Sequence, residues 1–104
     1  MSESMHVTHW PENEPPTREV LWQRMVAEGL SPYAWSNGPH DVYRAHSHDY
    51  DKVIYVVRGS IAFGLPAPDR RIVLKAGDRL ELPGGTLHDA MVGPDGVVCL
   101  EGHR

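Results

Sequence analysis

Three histidines in two separate segments are the residues of this chain whose types and spacing are best suited to chemistry. His46 and His48 are one residue apart, and His88 follows the loop 83–87. Side chains alternate along a β-strand, so His46 and His48 point to the same face of any strand that holds them. Imidazole nitrogens are common ligands of divalent transition metals. If another strand supplies His88, the three rings form a three-nitrogen metal site.

The segment after His48 determines what else faces that site. Alternation places Tyr50 and Lys52 on the same face as the histidines, whereas Asp49 and Asp51 face away. Neither aspartate is then expected to bind the metal, and only a bulge would turn Asp51 inward. Tyr50 is expected to pack or to donate a hydrogen bond near the histidines. Lys52 is either an interior cation or a surface lysine at the start of a strand.

The elements that position these residues are predicted to be short strands. A chain of 104 residues with 40% hydrophobic residues suffices for one domain. Its β-branched residues concentrate in the second half, and its ten glycines and nine prolines indicate frequent turns. These features favour an all-β sandwich or barrel. The predicted strands are 33–36, 42–48, 52–58, 60–65, 71–74, 79–82, 88–92 and 97–101.

The N-terminal part of the chain has a different character. Residues 1–16 are polar and proline-rich, which predicts an extended arm before a single domain at 17–104. Trp10 is expected to anchor this arm to the barrel or to a partner subunit. Residues 17–28 predict a short helix, capped by Thr17 and ended by Gly29. Its apolar stripe, which is expected to cover a sheet or the mouth of a barrel, comprises Leu21, Trp22, Met25 and Val26.

Charge and cysteine content narrow the class of protein. A formal net charge of -4 without a basic run argues against nucleic-acid binding. Cys99 is the single cysteine and lies in an apolar run, so we expect it to be buried and inert. A chain without an internal disulfide is typical of a reducing compartment. No segment has the length and apolarity of a membrane span, and we therefore predict a cytoplasmic protein.

Residues 40–92 resemble the two sequence motifs of the cupin family. The first motif is a glycine, five residues, His-x-His, three or four residues, Glu, six residues and Gly. Here His46 and His48 fill the histidine positions and Gly59 the last one. The second motif is Gly, five residues, Pro-x-Gly, two residues, His, three residues and Asn. Its matching residues are Gly77, Pro83, Gly85 and His88. A match in both parts is specific, whereas one His-x-His alone would be weak.

Three positions depart from the family pattern. His40 replaces the first glycine, Val92 replaces the asparagine, and Lys52 stands where a glutamate often completes the metal coordination. The resemblance implies a double-stranded β-helix, or jelly-roll barrel, holding one divalent transition metal: iron, zinc, nickel, manganese or copper. A Lys52 ammonium aimed at such an ion would be strongly repelled. It must lose its proton, turn away, or share the space with an anion.

The resemblance to three-histidine cupins implies a metalloenzyme acting on a small anionic or chelating substrate. Dioxygenase and isomerase or lyase chemistry are both implied, and Tyr50 and Lys52 are the candidate substrate-binding residues. A non-catalytic ligand sensor and a structural role of the metal remain alternatives. We also expect a homodimer, because small jelly rolls leave sheet edges and apolar outer faces uncovered and the N-terminal arm could reach across.

Overall fold

The computed structural model describes residues 5–66 and 69–104, which form one short helix and seven strands. Residues 1–4 of the predicted arm and residues 67–68 of the predicted turn after residue 65 lie outside the described part. The elements are β1 (His6–Thr8), α1 (Arg18–Ala27), β2 (Tyr33–Asn37), β3 (Val42–His46), β4 (Lys52–Pro66), β5 (Asp69–Lys75), β6 (Arg79–Leu82) and β7 (His88–His103).

Two long strands organise the barrel. β4 and β7 pair antiparallel along most of their length. The first half-sheet contains the paired segments Lys52–Val56 of β4 and Cys99–His103 of β7. In it, β6 pairs with β4, β2 pairs with β7, and β1 lies outside β6. The second half-sheet contains the remaining parts of β4 and β7, with β5 paired to β4 and β3 paired to β7. The antiparallel sheet therefore folds over itself into two halves, and one cluster of buried side chains from both halves fills the space between them.

Glycines lie where β4 and β7 bend from one half-sheet into the other. They belong to continuous strands with irregular pairing, whereas the sequence predicted that the strands would end there. We expected separate strands 52–58 and 60–65, and 88–92 and 97–101, but each pair is one strand. The β4–β7 register shifts between Val56 and Arg58 and between Gly59 and Ile61. Gly59 has φ +81°, and a Cβ there would overlap the carbonyl oxygen of Gly96. Only glycine lets the strand bend here without interruption.

Helix α1 covers the outer face of the first half-sheet. Thr17 accepts a hydrogen bond from the Val20 amide and caps the helix as predicted. Leu21 and Met25 are fully buried against a second apolar cluster that includes Leu100. The predicted stripe is too wide, because Trp22 and Val26 are exposed. Leu21 and Met25 are four residues apart and therefore lie on the helix face that contacts the sheet. Trp22 and Val26 each follow one residue later, so the helical rotation turns their side chains away from that contact.

Part of the predicted arm forms a strand of the barrel. His6–Thr8 pairs with Arg79–Glu81 at the edge of the sheet. The buried Asp78 carboxylate accepts hydrogen bonds from the Trp10 amide at 2.8 Å and the Lys75 amide at 2.8 Å, and it contacts His9 Nδ1 at 3.1 Å. Trp10 packs directly on Gly77, where a Cβ would lie 2.6 Å from the Trp10 Cβ. Trp10 thus anchors the arm to its own barrel.

The outer face of the second half-sheet carries an exposed apolar row. Val73 is the register partner of Ala62, Ala62 of Met91, and Met91 of Val42, so the row crosses four strands. Val42, Val73 and Met91 are each at least half exposed. Within the described residues, no helix is long and apolar enough to cross a membrane.

Candidate metal centre

The structure brings the three predicted histidines together. His46 ends β3, His48 lies two residues beyond it, and His88 begins β7 as the register partner of His46. The ring centroid of His46 lies 4.8 Å from that of His48 and 4.4 Å from that of His88. One nitrogen from each ring falls within 4.8 Å of the other two. Three nitrogens bound to one ion at about 2.1 Å lie about 3.0–3.6 Å apart, so the rings need to close by up to about 1–2 Å to share one ion.

Two loops hold His48 beside His88. The strand that sequence alternation predicted through residue 48 ends at His46, and the next five residues form a bend. That bend is tied to the glycine loop by two hydrogen bonds: the Gly85 amide donates to the His48 carbonyl at 2.6 Å, and the Gly84 amide donates to Asp51 Oδ1 at 2.8 Å. Asp51 thus faces away from the site, as predicted, and fixes the loop that precedes His88.

Hydrogen bonds orient the imidazole rings. Nδ1 of His46 lies 2.6 Å from the Arg44 carbonyl, and Nδ1 of His88 lies 2.9 Å from the Thr86 carbonyl. A carbonyl only accepts, so each Nδ1 carries the proton and each Nε2 keeps its lone pair for a ligand. Nδ1 of His48 lies 3.2 Å from the Tyr50 hydroxyl.

His48 Nε2 shows that the donor set suits a metal. In the part of the chain that the structure describes, it is the one buried side-chain nitrogen or oxygen without a hydrogen-bond partner. Buried polar atoms almost always have a partner, and an exception needs an explanation. A transition metal held by the three imidazoles would supply that partner, and such ions accept nitrogen ligands readily. The residues present therefore fit a divalent ion.

The histidines line a cavity of about 290 Å³ between the two half-sheets. Its apolar lining residues include Ile54, Ile61, Phe63 and Ala90. Its polar lining residues include Tyr33, Tyr50, Lys52 and Glu101, which contribute hydroxyl, amine and carboxylate groups. A cavity near the lower end of the usual range for ligand pockets, with few polar groups, suits a small organic molecule.

Glu101 is the charged residue of this cavity that sequence reasoning missed. Its carboxylate is buried and accepts hydrogen bonds from Tyr33 at 2.8 Å and Trp35 at 3.0 Å, and it lies 2.7 Å from His103 Nε2. Lys52 Nζ lies 3.6 Å from the same carboxylate. The available signal was alternation along β7, which puts Glu101 on the same face as His103 and Cys99. The partners on β2 and β4 could not be identified without the strand register.

No protein-family model matches the sequence, and no curated protein matches it. Solved structures do match. An RmlC-like cupin from Shewanella frigidimarina NCIMB 400 aligns with a TM-score of 0.61 at 24% identity, over 71% of this chain and 64% of that chain. The chain has the cupin fold. The double-stranded β-helix that the two motifs implied is thereby confirmed.

Two enzymes share this cupin fold with the chain. The polyketide cyclase RemF from Streptomyces resistomycificus aligns with a TM-score of 0.63 at 24% identity, over 71% of this chain and 54% of that chain. A structure of the DMSP lyases RdDddP and RnDddQII aligns with a TM-score of 0.65 at 24% identity, over 72% and 38%. The chain spans less than two thirds of the length of these three structures, and at such identities the likeness concerns the fold.

Burial, hydrogen bonds and neighbouring charges shift the pKa values of groups in the cupin cavity. Burial lowers the pKa of His88, and burial together with the Lys52 charge lowers the pKa of His48, so both rings are neutral at pH 7 and able to bind a metal. Burial raises the pKa of Tyr50, as does the nearby Glu101 charge, so the phenol keeps its proton. Burial alone would raise the pKa of Glu101, but its bonds to His103, Tyr33 and Trp35 and the Lys52 charge lower it.

Lys52 is an interior residue, not a surface lysine. Its side chain is 11% exposed and lines the cupin cavity together with Tyr50. Tyr50 both packs and bonds, because its ring lies 4.0 Å from that of His103 while its hydroxyl meets His48. Cys99 is fully buried, and burial raises the pKa of its thiol to about 12, which makes it inert as expected. His40 and His6 are exposed and lie outside the site.

Proposed function

We propose that this cupin is a metal-dependent enzyme with His46, His48 and His88 as the metal ligands. Its substrate is a small anionic or chelating organic molecule, and its reaction is of the lyase or isomerase type. The observation that carries the proposal is the convergence of the three imidazoles in a cavity, with His48 Nε2 buried and unpartnered. An unpartnered, buried imidazole nitrogen at this place is most simply explained by a cation.

The cavity groups have complementary tasks in such a reaction. A divalent ion held by His46, His48 and His88 would polarise a chelated oxygen and acidify the adjacent C–H bonds. Tyr50, protonated beside His48, donates a hydrogen bond or a proton to the substrate. The Lys52 ammonium attracts a carboxylate or an enolate, and the apolar wall around Phe63 excludes water from the reacting atoms.

The structural neighbours support an enzyme of this type. One is a polyketide cyclase, and another is a chain described among the DMSP lyases RdDddP and RnDddQII. A lyase or an isomerase needs an acid and a base beside the substrate, and the hydroxyl, amine and carboxylate groups in this cavity meet that need. Dioxygenase chemistry, which the three-histidine set also allows with ferrous iron, is the second candidate.

The test is a substrate screen with protein loaded separately with iron(II), zinc, manganese, nickel and copper. Small hydroxy acids, keto acids and diketones are the compounds to screen. Product formation without oxygen consumption supports the lyase or isomerase assignment, whereas coupled oxygen consumption supports a dioxygenase. Binding that raises the melting temperature without turnover would instead make the protein a ligand sensor.

A matched pair of histidine variants keeps the screen specific. His48→Ala removes a proposed ligand, and we expect it to abolish turnover. His6→Ala removes an exposed histidine of the edge strand β1 and should leave turnover unchanged. Equal activity of the wild-type protein and His48→Ala would contradict the proposal.

A further inference from the structure

Position 52 presents an electrostatic problem that the sequence alone leaves open. The family pattern often has a glutamate here, whose charge cancels one unit of the metal charge, but this chain has Lys52. The side chain of Lys52 is buried in the same cavity as the three histidines, and its charge lowers the pKa of both His48 and His88. An unopposed ammonium at this place would weaken the binding of any cation.

The opposite charge comes from the neighbouring strand. Glu101 on β7 is the register partner of Ile54 on β4, and Lys52 faces the same cavity two residues earlier. Lys52 Nζ lies 3.6 Å from Glu101 Oε2, and the side chains are 11% and 6% exposed. At this burial the two charges interact more strongly than a surface pair does, because water screens them little.

The carboxylate of Glu101 is held in place from both sides. Oε2 accepts the Tyr33 hydroxyl and contacts His103, while Oε1 accepts the Trp35 indole N–H. These donors fix the orientation of the group and favour its ionised form. Glu101 is not among the residues whose ligand atoms converge with the histidines, a set that comprises His46, His48 and His88 in the described chain.

We propose that Glu101 is a positioning residue that compensates the charge of Lys52, and that it thereby replaces from the adjacent strand the electrostatic contribution of the family glutamate. The pair keeps an ammonium in the cavity for an anionic substrate without repelling the metal. This inference rests on the proposed function, because it requires a metal at the three histidines.

A double-mutant cycle with Co²⁺ as the probe tests the inference. The wild-type protein, Glu101→Gln, Lys52→Met and the double variant are titrated with Co²⁺ at neutral pH, and the visible absorption of bound cobalt gives the affinity. Glu101→Gln leaves Lys52 unopposed and should weaken binding by about tenfold or more. Lys52→Met leaves the carboxylate unopposed and should strengthen binding by a similar factor. The double variant should return to within about threefold of wild type.

Further variants separate charge from structure. Glu101→Asp keeps the charge and should bind Co²⁺ within about threefold of wild type. If both Asp and Gln at position 101 abolish binding, Glu101 is a ligand and the compensation proposal is wrong. If Glu101→Gln does not fold, as circular dichroism would show, Lys52→Met still decides, because unchanged or weaker binding in that variant overturns the inference.

The same titrations distinguish this inference from the proposed function. If the wild-type protein binds Co²⁺ and His48→Ala does not, the metal site stands. Under that condition, single variants of Lys52 and Glu101 that remain within about twofold of wild type refute only the charge compensation. If the wild-type protein binds no Co²⁺, both proposals are wrong.

Discussion

Gly84 offers a direct test of how the two loops set the histidine geometry. A Cβ at this position would lie 3.2 Å from the backbone N and C atoms of Tyr50 and 3.3 Å from the backbone C of Asp49. These neighbours are backbone atoms and cannot rotate away. They are also held by the hydrogen bonds from Gly85 to His48 and from Gly84 to Asp51, so Gly84→Ala must push the two loops apart by a few tenths of an ångström.

The expected cost follows from two opposing effects. Over-packing of this kind costs about 1–3 kcal/mol. Replacing glycine by alanine recovers about 0.4–1 kcal/mol by restricting the unfolded chain. Gly84→Ala should therefore lower the free energy of unfolding by about 1 kcal/mol, measured on the metal-free protein by urea denaturation. Because the shift moves His48 away from His88, Co²⁺ affinity should also fall by about tenfold.

Gly38→Ala is the matched control. A Cβ at Gly38 meets only Asp41 Oδ2, at the ordinary contact distance of 3.7 Å, and Gly38 lies outside the cavity. This variant should keep the Co²⁺ affinity of the wild type. If Gly84→Ala matches Gly38→Ala in both stability and affinity, the loop contact does not position the histidines and the reasoning is refuted.

Three other measurements test separate parts of the structure. Asp78→Ala removes a buried acceptor and leaves the Trp10 and Lys75 amides unpaired. Urea denaturation should therefore show that the free energy of unfolding falls by about 2–4 kcal/mol. A decrease below about 0.5 kcal/mol would mean that the arm is not anchored there. Burial would raise the pKa of Glu101, but its hydrogen bonds and the Lys52 charge lower this pKa below the ordinary value of 4.5. The ionised carboxylate therefore stabilises the fold at pH values above 4.5, and this stabilisation is lost as the pH falls through the lowered pKa. Wild type should consequently lose stability more steeply than Glu101→Gln on acidification, and parallel curves would contradict the ionised Glu101. The predicted homodimer is tested by light scattering, where Met91→Lys in the exposed apolar row should shift a dimer to a monomer; a monomeric wild type at micromolar concentration would reject the dimer.

The site could be predicted from the sequence where local spacing determines it. His46, His48 and His88 belong to two motifs whose glycines and prolines fix the turns around them. The inward placement of Tyr50 and Lys52 was also correct, although the continuous strand invoked for it is a bend at residues 47–51. The Gly85–His48 hydrogen bond holds that bend against the neighbouring loop, which produces the same placement by a different route.

The remainder of the site depends on pairing between distant strands. Glu101 meets Tyr33 and Lys52 only because β7 lies between β2 and β4 in a particular register. A shift of one residue would turn Glu101 out of the cavity, and the sequence does not specify that register locally. The glycines were misleading for a related reason, since Gly59 looks like a chain break but bends a continuous strand. The pairing of His6–Thr8 with β6 is likewise a long-range contact.

The central claim is that three imidazoles from two segments bind one divalent ion. Elemental analysis after loading with zinc and gel filtration tests it most directly, on untagged wild-type protein, His48→Ala and the control His6→Ala. We predict one ion per chain in wild type and in His6→Ala, and its loss in His48→Ala. Equal zinc content in all three proteins, or none in wild type, would contradict the account.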